Sequence, residues 1–205
     1  EYELYKKSKD YTNLREEQTE SKFPEIVKNI ALIYAEQGDN EKAMAAVQEA
    51  RKSNPDDLNL ILTEANIYIQ LDEKQKFQEL IKEALEQDPN NALLYFNLGV
   101  VSFDLGDNVA ARGYYEKAIE IDSSYEAAYL NLVSLILNGE STIVEEMNSL
   151  GNSRADNARY DELKLKREDL YRECIPILKG LVELNQIEEA IKTLMNIFGT
   201  LGDND

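Results

Sequence analysis

Residues 92–125 read ALLYFNLGVVSFDLGDNVAARGYYEKAIEIDSSY, two stretches of helical pattern either side of a Gly-Asp-Asn break. Tyr95, Leu98, Gly99 and Ser102 recur at i, i+3, i+4 and i+7, and Ala111, Tyr115 and Ala118 keep the same period in the second stretch. That spacing places each set on one face of a helix. Asp107 is placed to cap the second helix, and Asn90 or Asn91 the first. Antiparallel helices approach closely only where side chains are short. Gly99 is therefore expected to face the segment around Ala111 and Ala118, with Tyr95, Leu98 and Tyr115 filling the surrounding space.

The same pattern repeats outward. Residues 24–57 and 58–91 set under 92–125 make three blocks of 34. Ala50, Ala84 and Ala118 fall in register, as do Gly38, Asp72 and Gly106 at the turn between helices. Ala31, Ala65 and Gly99 supply the small residue of the first helix, and Tyr34 and Tyr68 align with Ser102. Pro55 aligns with Pro89, and Ser123 stands third. A fixed period of this length is the mark of a stacked repeat architecture.

These residues resemble the tetratricopeptide repeat, whose signature is a bulky residue, Leu, a small residue and Tyr, then Ala, an aromatic, Ala and Pro. The first block offers Val27, Ile30, Ala31, Tyr34, Ala43, Val47, Ala50 and Pro55. The second has Ile61, Glu64, Ala65, Tyr68, Phe77, Ile81, Ala84 and Pro89, departing at Glu64 and Phe77. The resemblance implies an all-α, right-handed superhelix of antiparallel helix pairs and a protein-interaction role.

A fourth repeat starts at EAAYLNLVSLIL, with Tyr129, Leu132 and Val133 in register, but its second helix is late. Leu137 to Cys174 spans 37 positions where Phe103 to Ala111 spans 8, so 29 residues are inserted. Cys174, Leu178 and Leu181 then take the second-helix places, which makes Cys174 a buried structural thiol. A fifth first helix follows, with Ile191, Leu194, Met195 and Phe198 in register. The expected organisation is a helix or linker over 1–23 and a repeat domain over 24–205. Its parts are 24–57, 58–91, 92–125, a split repeat 126–187 with an insertion at about 138–166, and a half repeat 188–205. Ser21 with Pro24 reads as the start signal of the first repeat. A chain that opens on Glu1 and stops inside a repeat reads as a piece of a longer product, because terminal repeats need a polar cap. The split fourth repeat resembles an exported subgroup in Gram-negative bacteria. That implies the cell envelope or periplasm, the cytoplasm being the alternative.

Composition removes most chemistry. With no His and one Cys there is no imidazole relay, zinc-thiolate cluster or internal disulfide. No EF-hand, P-loop or Gly-rich nucleotide motif is present, so no cofactor and no enzyme activity are expected. The net charge of −18 opposes nucleic acid and anionic membrane. No apolar run approaches the roughly 20 residues of a membrane span, so direct membrane insertion is not expected. The negative charge is spread over all blocks, and any partner it steers is basic.

The candidate site is a groove. Leu93, Phe96, Val100 and Phe103 form a second apolar stripe on the first helix of block three, about 200° from its packing face at 100° per residue. Leu62 and Ile69 continue it in block two, and Leu130 and Leu137 in block four. Contiguous exposed apolar surface marks an interaction site. Asn29, Asn97 and Asn131 punctuate the stripe at multiples of 34, with Thr63 interrupting, and amides can both donate to and accept from a peptide backbone. An Asn ladder does this in some proteins of the resembling family. The carboxylate clamp of its chaperone-tail binders is absent: Lys28 fills one matching place, but Leu32, Leu93 and Asn97 stand at others. The expected partner is a protein or peptide. The alternatives are coverage of the stripe by this chain itself, including the insertion, and self-association into a homo-oligomer.

Overall fold

The computed structural model describes residues 22–185 and 188–202, which hold helices and no strand. Two compact units divide the chain, Glu1–Thr63 and Glu64–Asp205. In chain order the helices are α1 Phe23–Glu36, α2 Asn40–Ser53, α3 Leu58–Gln70, α4 Lys74–Gln87, α5 Ala92–Asp104, α6 Asn108–Ile121, α7 Glu126–Leu137, α8 Glu140–Ser149, α9 Arg154–Asn185 and α10 Glu188–Leu201. Helix α3 begins in the first unit and ends in the second.

Within the first unit, α1 packs on α2 and buries Val27 and Ala31 against a helix burying Ala43, Val47 and Ala50. The Asp39 side chain accepts from the Lys42 amide and caps α2, satisfying an N–H left orphaned at the helix start. The start of α1 differs from expectation: Lys22 takes the N-cap position with no side-chain cap bond, and Pro24 sits in the first turn. Ser21 lies outside the described residues, as does the expected segment 1–23 apart from its last two positions. Ile30, a signature position, is 41% exposed, and Ile26 and Ile33 lie open beside it.

In the second unit the caps expected from sequence form. Asp107 accepts from the Ala110 amide at 3.0 Å, and of the two candidates for α5 it is Asn91 that accepts from Leu94. Glycine at 106 is required by the turn: its φ is +82°, matching +78° at Gly38 in the first unit. Asp72 occupies the same register place at φ +59°, in a region that costs a side chain energy.

Helix α6 lies on α5, and the Gly99 contact is closer than the sequence implied. A Cβ at Gly99 would stand 2.5 Å from two ring carbons of Tyr115. The short residue accommodates the ring of Tyr115, which lies on the expected segment between the buried alanines at 111 and 118. Tyr95 is only partly buried and stacks obliquely on Tyr114, with ring centroids 6.5 Å apart. Ser102, at the tyrosine place, is fully buried and accepts from Gln78 Nε2 of α4 at 3.0 Å. That bond and the 3.2 Å Lys74–Asp104 ion pair are polar links between α4 and α5.

The insertion is helical. Helix α8 turns back on the first half of α9, where Leu163 is buried. Arg159 donates to both carboxylate oxygens of Glu146, and Arg167 donates through Nε and Nη2 to Glu140. The second half of α9 then packs on α7 and α10 and supplies Tyr171, Cys174, Leu178 and Leu181 to the core. Insertion and repeat are thus one helix, unbroken through Pro176.

One expectation needs correcting. Within the 24-residue stretch Glu126–Ser149, an 18-residue window reaches a mean hydropathy of 1.2, enough by length and composition for a membrane span. Its apolar residues do not form one continuous run, being interrupted at Asn138–Gly139, between α7 and α8, and by Glu140, Glu145 and Glu146. Ala128, Leu132, Val133 and Ile136 of this stretch are buried in the protein interior.

Candidate functional site

The ten sequence-predicted residues divide between the units. Asn29 is exposed and Leu62 half-buried in the first unit. The other eight lie on α5 and α7 of the second unit, helices that touch each other. Leu93 is 53% exposed, whereas Phe96, Val100, Phe103, Leu130 and Leu137 are half-buried against one core cluster. Asn97 and Asn131 are half-buried between them. The stripe is therefore less open than expected. Phe96 meets Tyr125 edge-on at 5.2 Å and lies 6.0 Å from Tyr115, so it supports the core while presenting part of its surface.

What sequence reasoning missed lies at the end of this face. A cavity of about 320 Å³ opens between α7, the insertion, α9 and α10, lined by Leu137, Glu140, Arg167 and Tyr171 and, on α10, by Thr193, Asn196, Ile197 and Thr200. Its polar wall is organised by one oxygen. Glu140 Oε1 accepts from Arg167 Nε at 3.0 Å, from Arg167 Nη2 at 2.8 Å, and from the Tyr171 hydroxyl. Burial, reinforced by the Glu140 carboxylate, raises the Tyr171 pKa and keeps the phenol protonated as a donor. Burial is the largest single influence on the Arg167 charge and opposes it, but the hydrogen bonds and electrostatic attraction of Glu140 and Tyr171 together outweigh it and the guanidinium pKa rises. The signal in the sequence was Arg167 and Tyr171 one turn apart, yet their partner Glu140 is 27 residues from Arg167.

Cys174 is fully buried and its thiol is pushed up to about 12 by burial, so it is a packing residue rather than a nucleophile. Among the described residues no cluster of three metal-ligating side chains occurs.

Two overlapping matches to the tetratricopeptide-repeat family cover residues 34–99 and 92–125. Residues 34–125 are tetratricopeptide repeats. The fold class is accordingly all-α, of the tetratricopeptide solenoid type. A putative protein-binding protein from Bacteroides ovatus is similar in structure, with a TM-score of 0.60 at 19% identity over 91% of this chain and all of that one. MamA gives 0.53 at 18% identity over 88% and 93% of the two chains. The first tetratricopeptide domain of Spaghetti (RPAP3), solved with the HSP90 peptide SRMEEVD, gives 0.51 at 19% identity, over 57% of this chain and 93% of that one. At these identities the likeness is one of fold. No curated protein matches the sequence.

Proposed function

We propose that this protein is a non-enzymatic interaction module that holds a peptide or helix of a partner protein along the faces of α5 and α7. The observation that carries the reading is the half-buried row Phe96, Val100, Phe103, Leu130 and Leu137 with Asn97 and Asn131 set into it. Partly exposed apolar side chains give a ligand something to desolvate, and the amides give its backbone hydrogen-bond partners. The repeat family and the peptide-bound relative support this class of function.

The test is a selection of peptides on the wild-type protein, followed by affinity measurement on Leu93→Asp/Asn97→Ala/Asn131→Ala. These sites are exposed or half-exposed, so the variant keeps its helical circular dichroism, which Phe96→Ser would not. Loss of about tenfold or more in affinity, about 1.4 kcal/mol, is expected. Unchanged affinity of the folded variant overturns the reading.

A second reading is self-association. In α10, Met195 is 68% and Ile191 37% exposed, although they occupy signature places that α5 covers with α6. A sedimentation-derived mass that rises with concentration, and falls to the monomer in Met195→Lys, would favour it. We also propose a cell-envelope location, which rests on the resemblance of the split fourth repeat. Fractionation of cells expressing the native gene tests it, and recovery in the cytosol alone would refute it.

A further inference from the structure

One side of α1 lies open where the other leading helices of the repeats are covered. On α5, Gly99 faces Tyr115 of α6, while Ser102 takes a hydrogen bond from Gln78 of α4. At 100° per residue, Leu98, Leu94 and Val101 continue from Gly99 past Ser102, to about 100°, 140° and 160°. They therefore belong to the side of α5 turned from α6 toward α4, and all three are buried. Ala128 and Leu132 of α7, and Ala190, Leu194 and Ile197 of α10, are buried at the same spacing. Each of these helices has its predecessor packed on it: α4 on α5, α6 on α7, α9 on α10. On α1 the corresponding residues are Ile26, Ile30 and Ile33, at 55%, 41% and 52% exposure. Helix α2 packs on α1 from the side of the buried Ala31 and leaves this stripe uncovered. Contiguous apolar surface of this kind marks a docking face.

What precedes α1 in the chain is residues 1–21, outside the described residues. Read as a helix, Leu4, Ser8, Tyr11 and Leu14 recur at i, i+4, i+7 and i+10, within an arc of about 120°. Lys6, Lys9, Asp10, Asn13, Glu16 and Glu17 fall on the opposite side. Residues 4–17 equal α1 in length, and 18–22 remain as a connection, comparable with 88–91 between α4 and α5. The period of 34 is not continued here. Lys9, Asn13 and Glu16 stand one period before Ala43, Val47 and Ala50, which α2 buries. The segment is thus not the second helix of another repeat. Its one apolar side and one charged side have the composition of a terminal cap.

We propose that residues 4–17 form a helix that folds back antiparallel on α1 and covers Ile26, Ile30 and Ile33. The short connection brings Leu14 over Ile26 and Tyr11 over Ile30, and Leu4 reaches past Ile33. A segment tied to α1 through residues 18–22 acts at an effective concentration on the order of millimolar, which a second copy or a separate protein does not match. The charged outer side offers no apolar surface for a further repeat to stack on, so the segment closes this end of the array. The groove on α5 and α7 belongs to the other unit, and its reading stands or falls separately.

The experiment records methyl and aromatic nuclear Overhauser contacts in the full chain. Contacts from Leu14 to Ile26 and from the Tyr11 ring to Ile30 are expected, and they should be absent between molecules in a mixture of labelled and unlabelled protein. Hydrogen exchange then reads the energetics. Tyr11→Asp/Leu14→Asp should speed exchange of the α1 amides about tenfold and leave α5 unchanged. Lys9→Glu/Glu16→Lys, on the outer side, should leave α1 as in the wild type. Absence of the contacts, or contacts only between molecules, overturns the proposal. So does α1 exchange that is unmoved by the aspartate pair, or moved equally by the outer-side pair.

Discussion

Adding one methyl group at two glycines of the same helix pair should move stability in opposite directions. In Gly99→Ala the new Cβ would lie 2.5 Å from Cδ1 and Cε1 of Tyr115 and 3.1 Å from Cζ. Carbon atoms prefer 3.5–4.0 Å, so the overlap is about 1 Å. The ring has little room to retreat, since Tyr115 is 2% exposed and Phe96 lies 6.0 Å away. Alanine gains about 1 kcal/mol of helix propensity over glycine, while overpacking a closed site costs roughly 1–3 kcal/mol. With the ring confined, the upper half of that range applies and Gly99→Ala is expected to destabilise by about 1–2 kcal/mol. Gly113, on α6, has nothing within 4 Å of the same added atom, so Gly113→Ala should stabilise by about 0.5–1 kcal/mol. Urea unfolding followed by circular dichroism at the helix band measures both, and Gly99→Ala/Tyr115→Leu should recover part of the loss through coupling. If Gly99→Ala raised the urea midpoint as Gly113→Ala does, the close-approach account of this helix pair would be wrong.

Other outcomes follow from named residues. Asp72→Gly should stabilise by about 0.5 kcal/mol in the same urea assay, because glycine adopts φ +59° without penalty and Lys74 keeps its 3.2 Å pair with Asp104. The Cys174 pKa rises from 9.0 unfolded to about 12 folded, so burial of the neutral thiol contributes fully below pH 9 and is lost as pH rises toward 12. Thermal melts from pH 8 upward should therefore show an alkaline decline that Cys174→Ala reduces, and a thiol reagent should label Cys174 only on unfolding. Glu146 is held below the usual carboxylate range by its hydrogen bond to Arg159. Its pairing is present above the unfolded pKa and lost as pH falls through the lower folded value, so hydrogen exchange in α8 should accelerate with Arg159→Met and respond less to acid in that variant.

The repeat was legible because three blocks of 34 repeat both the small-residue register and the turn chemistry. Asn91 and Asp107 cap where their position before each apolar pattern placed them, Asp39 caps at the register place of Asp107, and Gly38 and Gly106 take positive φ because the same turn recurs. Local chemistry of that kind is written within a few residues. The degree of burial is not. Periodicity assigned Phe96 and Phe103 to a second face but could not register that neighbouring helices half-cover it. It likewise marked Met195 as a signature residue without showing it open. The Glu140–Arg167 contact joins residues 27 apart across a helix reversal, and no short motif announces such a pair.

Helix α9 has a mechanical consequence. Proline at 176 has no N–H to give the Arg172 carbonyl, so a 32-residue rod loses one rung near the point where the insertion becomes part of the repeat. A rod missing a rung bends there first. Arg154 stands about 33 Å up the arm from that pivot and Arg167 about 13 Å, at 1.5 Å per residue. A tilt of about 3° therefore carries the free end through about 1.7 Å and the Arg167 backbone through about 0.7 Å. Leu178 and Leu181 lie below the pivot, locked in the same core as Ile197. Tyr171 and Cys174 above the pivot sit in that core too, so it clamps the rod on both sides of the missing rung and resists such a tilt, and whatever tilt remains moves Arg167 less than half as far as the far end.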